Sequence, residues 1–221
     1  MNTKNKLEIK NLRTEQKMLK SQMNPHFVFN SLNSIQSYIT SNQTHEASKY
    51  LSNFAKLIRG FLEHSRSESV LLERELELLK IYVELEQVRY DHKFQFKCTI
   101  AENVEADFIS IPTMILQPFV ENAIIHGFKN RENGSIHVDI QVEDEYLICV
   151  IDDNGIGREA AGKNDTDDKR ESLAMRITER RLSVINEQHG TNAKFIIIDK
   201  SDMQKQNSFG TKVIVRLPIL N

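Results

Sequence analysis

Apolar residues recur at helical spacing through roughly the first ninety positions of the chain and at strand spacing after that. Val28, Leu32, Ile35 and Ile39 fall on one face of a helix running from Pro25 to about Thr40, and His26, Asn30, Asn33 and Ser37 fall on the opposite face. Pro25 suits a first helical turn, where its missing N–H has no partner to lose, and Asn24 before it is a good N-cap. Residues 1–20 are compatible with a connecting helix, with Leu12, Leu19, Met23 and Phe27 on roughly one side. After the polar break Ser41–Thr44, the spacing of Ala47, Tyr50, Leu51, Phe54, Leu57, Ile58, Phe61 and Leu62 predicts a second helix. Ser65–Ser69 breaks that helix. A third carries Leu72, Leu76, Leu79 and Val83 on one face, with Leu78, Tyr82 and Leu85 beside them. Broad apolar stripes and short connections predict a helical hairpin or bundle over 21–90, with self-association covering the stripes.

The period changes at about Tyr90. Phe94, Phe96, Cys98 and Ile100 alternate, as do Ile136, Val138, Ile140 and Val142, and a continuous apolar run follows from Tyr146 to Ile151. The last two read as a hairpin about Glu143-Asp144-Glu145. Helices are expected at about Pro112–Gly127 and Leu173–His189, and closing strands at Phe195–Ile198 and Thr211–Leu217. Strands interleaved with helices over 91–221 predict an α/β sandwich, a mixed sheet with helices on one face, so the whole chain is α+β.

Composition narrows the function classes. The 221 residues are 39% hydrophobic and 27% charged, ordinary for a globular chain, and the net charge of −2 offers no basic field to a nucleic acid. No apolar run reaches the roughly 18 residues of a membrane span, and no stretch reads as a signal peptide. Cys98 and Cys149 lack metal-site companions and read as small buried hydrophobes in a reducing compartment. Lys4, Lys6, Lys10, Arg13, Lys17 and Lys20 face only Glu8 and Glu15 in the first twenty residues. That excess suits a solvated helix face, and also the cytoplasmic flank of a membrane segment. The expectation is a cytoplasmic domain that meets a membrane only through a missing N-terminal part.

Candidate chemistry begins with His26, which points away from the expected core. It can be a surface residue, a metal ligand or a nucleophile, and no His, Cys or carboxylate at i+3 or i+4 supports a metal. In Gln117–Gly127, Asn122 and His126 share one helix face, with Glu121 beside them and Gly127 able to end the helix. A carboxamide oxygen suits Mg²⁺, and a histidine can donate to phosphate oxygens. Asp153-Asn154-Gly155-Ile156-Gly157 follows a buried strand, where glycines let backbone approach a ligand and the acid can accept from an exocyclic amine. Gly210-Thr211 opens the last strand, and the polar stretch Arg158–Glu171, with Lys163, Lys169 and Arg170, is long enough for a lid.

Taken in order, these segments resemble the gyrase, chaperone and histidine-kinase ATP-binding fold, and more closely the LytS-type sensor histidine kinases. Gln22–Asn33 is similar to their phosphoacceptor segment QxNPHFxFNxLN, and Leu116–Gly127 to their nucleotide helix LQPxVENAxxHG. The resemblance implies a connecting helix at 1–20, a dimerising phosphoacceptor region at 21–90 and an ATP-binding domain at 91–221. It implies that His26 accepts the γ-phosphoryl group of ATP and passes it to the receiver domain of a response regulator, that Asn122 holds Mg²⁺, and that Asp153 reads the adenine amine. His126, Gly155, Gly157, Ser172, Leu173, Gly210 and Thr211 would surround the nucleotide, and the chain would be a homodimer. The family often has an acid after the histidine, where Phe27 stands here, so Asn30 or Glu121 is the candidate to orient the ring. Ala174 stands near a usual glycine. That departure supports the alternative of an ATP-binding but inactive dimeric scaffold. A serine kinase of the same ATP fold that binds a transcription factor is opposed by the phosphoacceptor-like helix.

Overall fold

A computed structural model describes residues 25–65, 67–128, 133–157, 167–200 and 209–219. The expected connecting helix at 1–20, the motif positions before Pro25 and residues 158–166 of the expected lid lie outside the described residues. The chain divides into two compact units, Met1–Ser67 and Glu68–Asn221.

Among its described residues, the first unit holds two packed helices, α1 (Pro25–Thr40) and α2 (Thr44–His64). Phe27, Ser31 and Ile35 of α1 are buried against Ala47, Tyr50, Leu57 and Phe61 of α2. The rings of Phe27 and Phe54 lie 6.1 Å apart, and the Tyr50 hydroxyl donates to Ser31 Oγ at 3.4 Å. This corrects the expected stripe: of Val28, Leu32, Ile35 and Ile39 only Ile35 is buried, whereas Leu32 is 49% and Ile39 63% exposed. α2 approaches along the i, i+4 row that starts at Phe27, where the small Ser31 makes room for Tyr50. His26 is exposed, as the sequence predicts.

In the second unit, β1 (Ser69–Leu71) pairs antiparallel with β3 (Ser110–Pro112), and α3 (Leu72–Arg89) follows β1 without a loop. The main sheet comprises β2 (Phe94–Ile100), β4 (Gly134–Glu143), β5 (Tyr146–Asp153), β6 (Lys194–Asp199) and β7 (Thr211–Pro218), in the order β2-β4-β5-β7-β6. Among the described residues, β2 and β4 run parallel and the other pairs are antiparallel. α4 (Gln117–Gly127) and α5 (Asp167–His189) complete the unit. Val138, Ile140, Leu147, Cys149, Val215 and Leu217 are fully buried on one sheet face, as are Val120 and Ile124 on α4. The mixed sheet with helices on one face is therefore as the sequence predicts.

Two boundaries differ. α3 groups with the second unit, so the chain divides at Ser67/Glu68 where the sequence suggested 90/91. Nine of its residues are buried, Glu75 and Glu86 among them, on more of its circumference than a hairpin partner could cover. α4 begins at Gln117 and not at Pro112, because Ser110–Pro112 is taken up as a strand and Met114 sits at φ 52°. Among the described residues, no helix is long and apolar enough to cross a membrane.

Glu86, 1% exposed and bonded to the Arg89 guanidinium, gives a handle on stability. Burial pushes its carboxyl from 4.5 up to about 7 against the pull of Arg89, and Glu121 adds to the rise. Between those values the folded chain keeps a proton that the unfolded chain has lost. Glu86 therefore takes away stability as pH climbs from 4.5 through about 7, and the loss levels off above. Urea unfolding at pH 5 and pH 8 is expected to show on the order of 2 kcal/mol less of this decline in Glu86→Gln than in the parent chain. Equal declines would contradict the assignment.

Candidate functional site

Asp153 ends the central strand β5 with its side chain 5% exposed. Its Oδ1 accepts the N–H of Gly155 at 2.8 Å and the N–H of Thr211 at 3.2 Å, so one carboxylate oxygen ties the turn after β5 to the opening of β7. Among the described residues, no hydrogen bond reaches Oδ2. Burial pushes the Asp153 pKa up, while the Gly155 and Thr211 N–H groups and the Lys200 ammonium hold it back. Lys200 pairs with Asp152 and donates to the Asp153 carbonyl at 2.7 Å, which anchors the end of β6 to the same turn.

Glycine is required here by contact. A Cβ on Gly155 would lie 2.5 Å from the Gly127 Cα, so the turn rests directly on the end of α4. A Cβ on Gly210, at φ 116°, would lie 2.1 Å from the Asp153 carbonyl oxygen. Three segments that were separate candidates in the sequence thus meet at Asp153. Gly157 adjoins the Asp199 carboxylate, and Asn154 links its turn to the start of β4 through Ser135 N–H, at 2.7 Å, and the Asn133 carbonyl, at 3.2 Å.

Asn122 and His126 lie one turn apart on α4, both half-buried. Among the described residues, no hydrogen bond occupies the Asn122 carboxamide. Its oxygen suits Mg²⁺, which takes one or two protein oxygens and completes its shell with phosphate and water. The neighbouring Glu121 lies close enough to α3 to raise the pKa of Tyr82 and Glu86, in both of which burial is the larger cause. Ser172 and Leu173 lie near the start of α5, and their side chains are outside the described residues. Ala174 is helical, with no positive φ, and its carbonyl accepts from Thr178 Oγ1 at 3.0 Å. The alanine is therefore unstrained.

His26 and Asn30 belong to the first unit. The Asn30 Nδ2 lies 3.1 Å from His26 Nδ1 and 3.3 Å from Nε2, one helical turn away. Sequence reasoning missed Lys200, Glu75 and Arg181, and gave Asn154 no role of its own within its motif. Glu75 and Arg181 stand among other charged residues on their helices, so neither periodicity nor spacing separates them from a solvated face.

Residues 14–94 match the family model described as Histidine kinase. The Sensor protein LytS of Staphylococcus epidermidis is 35% identical over 144 residues, covering 65% of this chain and 24% of that protein. That of Enterococcus faecalis is 32% identical over 190 residues, covering 83% and 31%. The chain belongs to the LytS-type histidine kinases. This LytS-type chain spans only about a quarter to a third of the length of these relatives. The histidine kinase domain of the Erythrobacter litoralis EL346 blue-light activated kinase overlays with a TM-score of 0.48 at 11% identity, covering 88% of this chain and 93% of that one. So loose an overlay has no bearing on the site.

Gly155→Ala is expected to lower stability by about 1–3 kcal/mol, because its methyl would overlap the Gly127 backbone at 2.5 Å and crowd Asp153 Oδ1 at 2.8 Å. The urea midpoint measures this. An unchanged midpoint would mean that the turn does not rest on α4.

Proposed function

We propose that this chain is the kinase core of a two-component sensor. It binds ATP at Asp153, transfers the γ-phosphoryl group to His26 and passes it to an aspartate of a response-regulator receiver domain. The observation that carries the reading is the division of labour at Asp153. Oδ1 is committed to two backbone N–H groups, and Oδ2 is left to accept from the adenine amine while repelling a guanine carbonyl. Gly155, Gly157, Gly210 and Thr211 let backbone close on the base and phosphates, with His126 and the start of α5, at Ser172 and Leu173, nearby in role. Asn122 holds Mg²⁺, which when bound neutralises phosphate charge.

Phosphoryl transfer breaks the bond from the γ-phosphorus to the bridging oxygen of ADP as an imidazole nitrogen bonds to phosphorus. His26 supplies that nitrogen as a lone pair on an exposed ring. The Asn30 carboxamide, within hydrogen-bond distance of both ring nitrogens, is the first candidate to orient the ring. Glu121 is the second candidate to orient the ring. The scaffold alternative, whose support was an alanine near a usual glycine, gains nothing from the helical backbone at Ala174.

The proposed homodimer accounts for the outward apolar residues of the first unit. Phe29 is 68%, Leu32 49% and Ile39 63% exposed on α1, as are Leu51 at 50% and Leu62 at 47% on α2. A second copy covers them as a four-helix bundle. The cytoplasmic, membrane-adjacent setting rests on the basic first twenty residues.

Incubation with γ-labelled ATP and Mg²⁺ is expected to give an acid-labile, base-stable phosphate that His26→Gln abolishes. ATP affinity in that variant should stay within about 1 kcal/mol of the parent. Asp153→Asn is expected to weaken ATP by at least about tenfold in calorimetry, or 1.4 kcal/mol. Label persisting in His26→Gln, or full affinity in Asp153→Asn, would sink the corresponding role. Light scattering is expected to show a dimer at micromolar concentration and a monomer for Leu32→Glu/Ile39→Glu; a monomeric parent counts against the bundle.

A further inference from the structure

Glu75 lies in the first turn of α3, is 3% exposed, and spends its carboxylate on another segment. Oε2 accepts the N–H of Met114 at 2.9 Å and Oε1 the N–H of Leu116 at 3.5 Å. Leu116 is the N-cap position of α4 and supplies no side-chain cap of its own, and the carboxylate from α3 instead takes the N–H of Leu116 itself, one of those a helix start leaves without an intrahelical partner. Met114 holds φ 52°, a conformation that costs a non-glycine residue free energy and persists where its surroundings impose it. From α5, Arg181 Nη2 donates to Thr113 Oγ1 at 2.9 Å, on the same loop. Its positive charge also opposes the rise that burial imposes on the Glu75 pKa. One buried point therefore joins α3, α5 and the N-terminus of α4.

The other end of α4 is fixed independently, by the seating of Gly127 on Gly155. Asn122 lies five residues before Gly127, about 7.5 Å along the axis. Loss of the N-terminal hold leaves a helix pinned at its C-terminus, and Asn122 is the residue that swings. The Asp153 cluster is held by its own bonds to Gly155 and Thr211 and stays in place.

Building on the nucleotide reading above, we infer that Glu75 is a positioning residue that, with Arg181, aims Asn122 at the metal–phosphate part of the nucleotide while leaving the base subsite alone. The test is calorimetric binding of ADP, with and without Mg²⁺, to the whole chain. Wild type is expected to bind ADP more tightly with Mg²⁺. Glu75→Gln presents an NH₂ group to one of the two backbone donors, and should lose about tenfold in the Mg²⁺ titration while Mg²⁺-free ADP stays within about twofold. Thr113→Val removes the Arg181 anchor without burying a new charge, and should show the same selective loss at about threefold. Thr113→Val decides the matter if Glu75→Gln does not fold at the assay temperature. Equal losses with and without Mg²⁺, no change in either titration, or a wild type indifferent to Mg²⁺ overturns the inference and leaves the base site standing. A wild type that binds no ADP under either condition overturns the nucleotide reading itself, and this inference with it.

Discussion

Backbone meets backbone at the end of β5, and the close approach leaves no room for side chains. Gly127, Gly155 and Gly210 come from three distant segments, and an added carbon on Gly155 or Gly210 would overlap main-chain atoms. The turn after β5 reaches the end of α4 because Gly155 is bare, with Gly127 opposite leaving little space, and β7 begins where Gly210 passes over the Asp153 carbonyl. The position of α4, the start of β7 and the aim of the Asp153 carboxylate are three results of one packing condition. Because β5 is flanked on both sides, by β4 and β7, the condition is set at the end of the central strand.

Around this contact, buried charge does work usually left to local caps. Glu75 closes the start of a helix that is not its own, Lys200 gathers the end of β6 onto the turn, and Glu86 is kept with Arg89 in an almost solvent-free pocket. Each is costly to bury; Glu75 and Lys200 join elements that are far apart in sequence, whereas the Glu86–Arg89 pair lies within α3. The unit is held by a few such cross-ties in addition to its apolar core.

Long periodic segments and glycine-bearing motifs were legible in the sequence, because Leu72 to Leu85, Ile136 to Val142 and Asp153 to Gly157 carry their own periods or turn chemistry. What escaped were features set by a distant partner. β1 and β3 are three residues each, too short for alternation to show, and exist because they pair with one another. The buried side of α1 was misjudged because Ser31 sits in it and Leu32 and Ile39 do not: the packing of Tyr50 selects a row that hydrophobicity alone would not. Glu75 looks like any other acid of an amphipathic helix, since its burial depends on a loop some forty residues later. The site followed the same rule. Its glycines and Asp153 were visible as motifs, but their convergence was an arrangement in space that spacing along the chain does not encode.

The continuity of β1 with α3 has a practical side for anyone dissecting the protein. A fragment begun after Arg89, where the hydrophobic period changes, would lack the partner strand of β3 and the carboxylate on Met114 and Leu116. A fragment begun at Glu68 retains all of these, and retains with them the Thr113 N–H to Glu68 carbonyl bond, at 3.4 Å, that fastens the first residue of the unit. The place to cut is set by the hydrogen-bonded ribbon and not by the end of the helices.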